Sequence, residues 1–301
     1  MERTSSIIPR DKYVSLLRRS FHLKGAFPLA GEIISSTCSG GEPRASHSQH
    51  PTAIPGDYGT IRAAEGRGSQ DSAYYRGLPF ADLTGRNSSQ WSIRARTFDY
   101  FRRNILPRSG CDIADLGSGN CWLSYRLAEI HHRPVAVDIF ADAMDGLGAA
   151  RHYPVPFPVV EAEFDNLPFP SASFDLAVFN SSFHYSSDYA RTLAEARRLL
   201  RPSGRVVVLD TPIYKRREHG ETMRRERQQF FEAKYGFRSD ALSSVEFLDF
   251  DTLDDLAREF SLTWKIYRPW YGWSWHLRPL RARLQRRRPP SRFWILVGEF
   301  K

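Results

Sequence analysis

The sequence predicts an α/β fold: a doubly wound, mostly parallel, seven-stranded sheet preceded by an irregular N-terminal extension. Three observations carry that expectation. From residue 89 onward, short apolar runs alternate with segments of helical periodicity, the rhythm of βαβ units. The run Phe174–Asn180 is almost continuously apolar, as a strand covered on both faces must be. A glycine-rich turn, Gly117-Ser118-Gly119, directly follows the first apolar run.

The elements follow in order. Ser89 is an N-cap candidate, and Trp91, Phe98, Phe101 and Ile105 then share one helical face, which Pro107 and Gly110 end. Ile113–Leu116 reads as the first strand, and Leu123, Leu127 and Ile130 mark the next helix. Pro134–Val137 is the second strand, with a weak helix around Asp142–Arg151 after it. Val159–Phe164 and Phe174–Asn180 are strands three and four. Tyr189–Leu200 is helical and stops at Pro202 and Gly204, and Arg205–Asp210 is the fifth strand. Helices are expected at about 218–235, ended by Gly236, and at about 252–260, capped by Asp251. Leu262–Tyr267 and Phe293–Val297 complete the sheet. Residues 89–301 form the expected domain and residues 1–88 the extension. In the extension, Tyr13–Phe21 has the spacing of a short helix, and Ser35–Gln70 is rich in Ser, Gly, Pro and Thr and reads as loop. Residues 1–70 are therefore expected to be dispensable for ligand binding.

Composition narrows the classes. With 41% hydrophobic and 13% aromatic residues in 301, the chain can bury a full core, which excludes global disorder. No apolar run approaches the ~18–20 residues that span a bilayer. Three cysteines, Cys38, Cys111 and Cys121, build neither a disulfide framework nor a C-x-x-C zinc pair, so no metal site is expected and a reducing cytoplasm is the expected compartment. The net charge of +9 is local: Ser261–Gly298 holds nine Lys/Arg and no acid, and the remainder balances at 34 cations against 34 anions.

The chemistry concentrates in Asp112-Ile113-Ala114-Asp115-Leu116-Gly117-Ser118-Gly119-Asn120-Cys121-Trp122. A glycine turn between strand and helix lets a ligand approach bare backbone at the helix N-terminus. Asp138, nineteen residues past Gly119, stands at the tip of the second strand, where an acid accepts ribose hydroxyls. Dinucleotides require a third small residue, and Trp122 stands there instead. Asp115, two places before the first glycine, suits a ligand bearing an ammonium rather than phosphates. An acid facing a crevice from a strand tip is not core, so removing Asp138 is expected to spare the fold.

On these residues the sequence resembles the class I, seven-strand, Rossmann-like S-adenosylmethionine-dependent methyltransferases. Later stretches extend the resemblance: Glu161–Pro170 after the third strand, Ser173–Asn180 at the fourth, and Leu199–Arg205 leading into the fifth. It implies S-adenosylmethionine as cofactor, with Asp115, Gly117 and Gly119 at the methionine end. By the same resemblance Asp138 takes the ribose hydroxyls, Ile139, Glu163 and Phe164 flank the adenine, and Asn180 lies near the sulfonium. The sequence departs from many members at Cys121, where they carry a third glycine.

Methyl transfer needs position above all, and a base only if the acceptor must lose a proton. His184 and Tyr185, side by side after strand four, are the candidate catalytic pair. A histidine merely bonded within the loop is the alternative for His184. Trp264–Arg292 holds four of the seven tryptophans and an arginine run threaded by Leu277, Leu280 and Leu284. A helix packed on the sheet edge by those leucines is the leading expectation, ahead of nucleic acid or an anionic membrane surface. The expected activity is methyl transfer to a small-molecule or lipid-like acceptor. RNA methylation through the basic segment and a non-catalytic binding module are the alternatives.

Overall fold

The computed structural model describes Ile34–Ser35 and residues 56–108, 110–236 and 243–301; the expected helix Tyr13–Phe21 lies outside them. The elements run β1 (Ile34–Ser35), α1 (Gly56–Ala64), α2 (Ser72–Gly77), α3 (Ser88–Asn104), β2 (Asp112–Leu116), α4 (Trp122–Glu129), β3 (Arg133–Asp138), β4 (Val159–Glu161) and β5 (Phe174–Asn180). They continue with α5 (Tyr189–Leu199), β6 (Leu200–Leu209), β7 (Ile213–Tyr214), α6 (Arg217–Tyr235), β8 (Leu248–Asp249), α7 (Phe250–Glu259), β9 (Leu262–Tyr267), α8 (Trp273–His276), α9 (Arg278–Leu284) and β10 (Ile295–Phe300).

The main sheet has the order β1-β4-β3-β2-β5-β6-β10-β9. All neighbours are parallel except β10, which runs antiparallel to both β6 and β9. The seven expected strands are present, and the two-residue β1 extends the edge beside β4. Period-two alternation sends Leu116, Val137, Phe179 and Val208 to one face, against Leu193 and Leu199 of α5 and Leu253 and Leu256 of α7. Ile113, Ala136, Val178 and Val207 point to the other, against Phe98 and Phe101 of α3 and Leu123 and Leu127 of α4. From β2 at the centre of the sheet the chain winds outward to β4 and returns to lay β5 on β2's other side. That reversal opens a crevice at the carboxyl ends of the strands.

Several expectations are corrected. Within Ser35–Gln70, read as loop, the structure places α1, which buries Ile61. The weak helix at Asp142–Arg151 forms only as a 3-10 turn over Leu147–His152. Its first half is a turn in which the Asp142 carboxylate accepts the N–H groups of Met144 and Asp145. Asp249 rather than Asp251 caps α7, accepting the Thr252 N–H at 2.8 Å. The short parallel pair β7–β8 was not anticipated. The leucines of the basic segment do not pack on the sheet: α8 and α9 contain no buried residue.

Candidate functional site

Gly117 and Gly119 both adopt left-handed backbone, at φ +75° and +51°. A Cβ on Gly117 would lie 2.3 Å from the Ser182 Cβ, so this position also requires the absence of a side chain. Cys121, the N-cap of α4, is left-handed too, at φ 64°. The backbone geometry for which glycine is the easiest choice is thus kept here by a buried thiol, which contacts the Gly119 carbonyl at 3.5 Å. The loop is pinned from several sides. The Gly117 and Ser118 N–H groups donate to the Val137 carbonyl, and the Tyr153 hydroxyl donates to the Asn120 carbonyl. The Gly119 N–H donates to Asp138 Oδ2 at 2.7 Å.

A cavity of about 430 Å³ opens above this loop. Gly117, Gly119, Asp138, Ile139, Glu163, Phe164, Asn180 and Tyr185 all line it. Two predicted residues do not. Asp115 is fully buried behind the loop; Ser124 Oγ donates to its Oδ2 at 2.7 Å, and Oδ1 has no partner among the described residues. Burial pushes its pKa up to about 7 against the Ser124 hydrogen bond. His184 also lies off the wall. In the 3-10 turn Phe183–Tyr185 the His184 ring packs against the Tyr185 ring, centroids 4.5 Å apart; Tyr185 reaches the cavity and His184 lies buried behind it. The His184 ring contacts Thr211 Oγ1 at 3.4 Å, and burial, aided by the Arg227 charge, lowers its pKa to about 3. It is neutral at physiological pH and a weak base. The Tyr185 hydroxyl instead neighbours the Arg227 guanidinium.

Asp138 uses both oxygens on backbone: Oδ2 on Gly119 and Oδ1 on the Phe140 N–H at 2.9 Å. Burial raises its pKa, opposed by those two bonds. Each carboxylate oxygen keeps a second lone pair for the cavity. Asn180 Oδ1 is buried without a partner among the described residues. An unpaired acceptor on the wall and a glycine floor that admits no Cβ fit a polar ligand pressed against backbone.

Three arginines on the wall escaped the sequence reading: Arg62, Arg67 and Arg94. Arg62 makes a close ion pair with the buried Asp145 carboxylate. Arg67 donates to Glu65 Oε2 at 3.1 Å and Gln90 Oε1 at 3.0 Å. Arg94 donates to Ser181 Oγ at 3.2 Å, and no carboxylate among the described residues lies within ion-pair distance. Burial lowers its pKa to about 10, helped by the Arg67 charge, so it remains a cation at neutral pH. Trp122 is buried edge-on to Trp91 and Phe98, filling the space where a dinucleotide fold needs a small residue.

Residues 114–208 match the family described as a methyltransferase domain. Over 109 residues the chain is 37% identical to a dimethylglycine N-methyltransferase of Parasynechococcus marenigrum, covering 35% of this chain and 39% of that protein. Over 106 residues it is 36% identical to a malonyl-[acyl-carrier protein] O-methyltransferase of Hahella chejuensis, covering 34% of this chain and 38% of the relative. The match thus spans well under two thirds of these curated relatives. Among solved structures, a chain of the Haloferax volcanii complex of a methyltransferase activator with a methyltransferase superposes with TM-score 0.53, at 17% identity, over 76% of this chain and 96% of that one. A Pyrococcus horikoshii OT3 protein superposes with TM-score 0.50, at 20% identity, over 76% and 99%. At such identities these likenesses speak to the fold.

Proposed function

This chain carries a class I, Rossmann-like methyltransferase domain, and from that premise we propose that it transfers a methyl group from S-adenosylmethionine to a small-molecule or lipid-like acceptor. The observation that carries the proposal is the convergence of Gly117, Gly119, Asp138, Glu163, Phe164 and Asn180 on one cavity at the sheet's switch point. When bound, S-adenosylmethionine supplies a methyl group already activated by its sulfonium charge.

The protein's work is then placement. Gly117 and Gly119 offer bare backbone to the methionine end, and Asp115, buried off the cavity wall with its carboxyl pKa pushed up to about 7, stands behind them. Arg94, a wall cation without a carboxylate, faces the opposite need and neutralises the methionine carboxylate. The free lone pairs of Asp138 accept the ribose hydroxyls, while Ile139 and Phe164 flank the adenine and Glu163 meets its amino group. Asn180 presents its unpaired oxygen beside the reacting centre. Tyr185, on the wall beside Arg227, orients the acceptor or takes its proton; His184 is a packing residue. Residues 89–301 form the catalytic domain, with α1 of residues 1–88 closing one side of its cavity.

The two relatives above are named for a nitrogen and an oxygen acceptor, so the acceptor atom does not carry over from them. Titration calorimetry with S-adenosylmethionine, S-adenosylhomocysteine and NAD tests the cofactor. Binding of the first two and not the third is expected, and NAD binding with no response to S-adenosylmethionine overturns the proposal. An acceptor screen with labelled methyl donor tests the transfer.

A further inference from the structure

We propose that the segment between β9 and β10 docks the protein on an anionic lipid surface. Trp270, Trp273, Leu277, Leu280 and Leu284 are 54%, 74%, 40%, 54% and 76% exposed. From Trp273 onward the spacing of four, three and four residues places Trp273, Leu277, Leu280 and Leu284 along one side of successive helical turns, and Trp270, ahead of the non-helical Gly272, packs edge-on against Trp273. Leu277, which ends α8 and begins α9, keeps helical backbone at φ −81°, ψ −6°, so the two short helices carry one apolar stripe.

The stripe is flanked by cations. Arg281, Arg283, Arg286 and Arg287 are exposed, and none forms an ion pair among the described residues. Arg288 differs: it pairs with Glu226 Oε2 at 2.6 Å and is part of the fold. No acid lies between Ser261 and Gly298. An occupant complementary to this face is therefore apolar and anionic at once. A bilayer surface with acidic headgroups meets both demands, with Trp and Leu entering the interface and Arg meeting the headgroups. RNA supplies the phosphates but leaves three leucines uncovered.

The segment is rigidly rooted. Buried Tyr271 hydrogen-bonds through its hydroxyl to Thr97 Oγ1 at 2.9 Å and to the Phe293 carbonyl at 2.7 Å, and Arg96 donates to its carbonyl. Because β10 is antiparallel to both neighbours, β9 runs in the same sense as β6. The segment thus leaves the sheet at the edge that carries the cavity, and docking turns that edge toward the lipid. This inference does not depend on methyl transfer.

The full chain is tested by co-sedimentation with phosphatidylcholine vesicles and with vesicles containing phosphatidylglycerol, at low and high salt. Binding to the anionic vesicles alone, weakened several-fold at high salt, is expected. Two variants should each lower partitioning at least about tenfold: Arg281→Gln with Arg283→Gln, Arg286→Gln and Arg287→Gln, and Trp273→Ala with Leu280→Ala and Leu284→Ala. Thermal denaturation checks that both keep the fold, as exposed positions predict. No binding to anionic vesicles, binding indifferent to the apolar variant, or a dimer in vesicle-free solution that the apolar variant abolishes overturns the proposal. Displacement from vesicles by single-stranded RNA that binds regardless of the apolar variant also overturns it.

Discussion

Asp138 at the tip of β3 accepts the backbone N–H of Gly119 at 2.7 Å, tying a strand end to a loop nineteen residues earlier. Its other oxygen holds the Phe140 N–H, so one carboxylate orders both the glycine turn and the chain leaving β3. Asp138→Ala is expected to weaken S-adenosylmethionine binding by about 1.5–3 kcal/mol through lost hydrogen bonds to a charged group. It should also cost about 1–3 kcal/mol of stability, because two backbone donors lose their acceptor. The sequence alone predicted an intact fold; the two backbone bonds add a stability cost to that expectation. Calorimetry and denaturant unfolding measure the two losses separately, and Asp138→Asn should be milder in both.

Asp115 gives the stability a pH dependence. Its carboxyl has a pKa of about 7 in the fold against the ordinary value of 3.8, raised by burial. Between those values the native state holds a proton that the unfolded chain releases, so unfolding becomes easier as pH rises. Below the lower value both states are protonated and nothing is lost; above the upper the full penalty applies. The slope is on the order of 1.4 kcal/mol per pH unit across that window. Asp115→Asn should lack it, so the variant should gain stability relative to the parent from about pH 4 to 7. Urea midpoints measured across that range give the comparison, and parallel curves would refute it.

How much of this was legible depended on where the signal sat in the chain. β5 was read to the residue because an uninterrupted apolar run admits few alternatives. The glycine loop and Asp138 announced themselves by spacing. The wall arginines did not. Arg94 is one of several arginines along α3, and only the packing of that helix turns it toward the cavity. His184 and Tyr185 were indistinguishable as neighbours in a loop; their rings pack together, and only the fold decides that Tyr185 faces the cavity while His184 is buried. The leucine stripe was recognised as helical, but periodicity marks a face without saying what covers it.

Arg94 is the clearest residue found by structure alone. Arg94→Gln should reduce S-adenosylmethionine affinity about tenfold or more, equivalent to about 1.4 kcal/mol. Stability should fall by about 1–2 kcal/mol, since the removed cation donates to Ser181 Oγ and lies 4.7 Å over the Trp91 ring. The sharper measurement uses decarboxylated S-adenosylmethionine. The parent should prefer the intact cofactor, and the variant should bind both alike. A preference that survives the substitution would move Arg94 from the cofactor to the acceptor.

The Arg62–Asp145 pair decides whether the N-terminal helix belongs to the site. Asp145 is buried on the cavity wall and Arg62 reaches it from α1. Breaking a buried pair from one side leaves an uncompensated charge, at about 3–5 kcal/mol when water is excluded. The cavity admits water beside Asp145, so Arg62→Ala should cost less, about 1–3 kcal/mol. Arg62→Ala combined with Asp145→Ala should recover much of that loss, because the stranded carboxylate is gone. A chain beginning at Asp71 lacks α1 and so repeats the Arg62 deletion while opening the wall. Its S-adenosylmethionine affinity should fall at least about tenfold, contrary to the expectation from composition that residues 1–70 are dispensable. Calorimetry on that shortened chain, beside the two variants, distinguishes a helix that completes the cavity from one that merely rests on it. Undiminished affinity in the shortened chain would return α1 to the role of a passive extension.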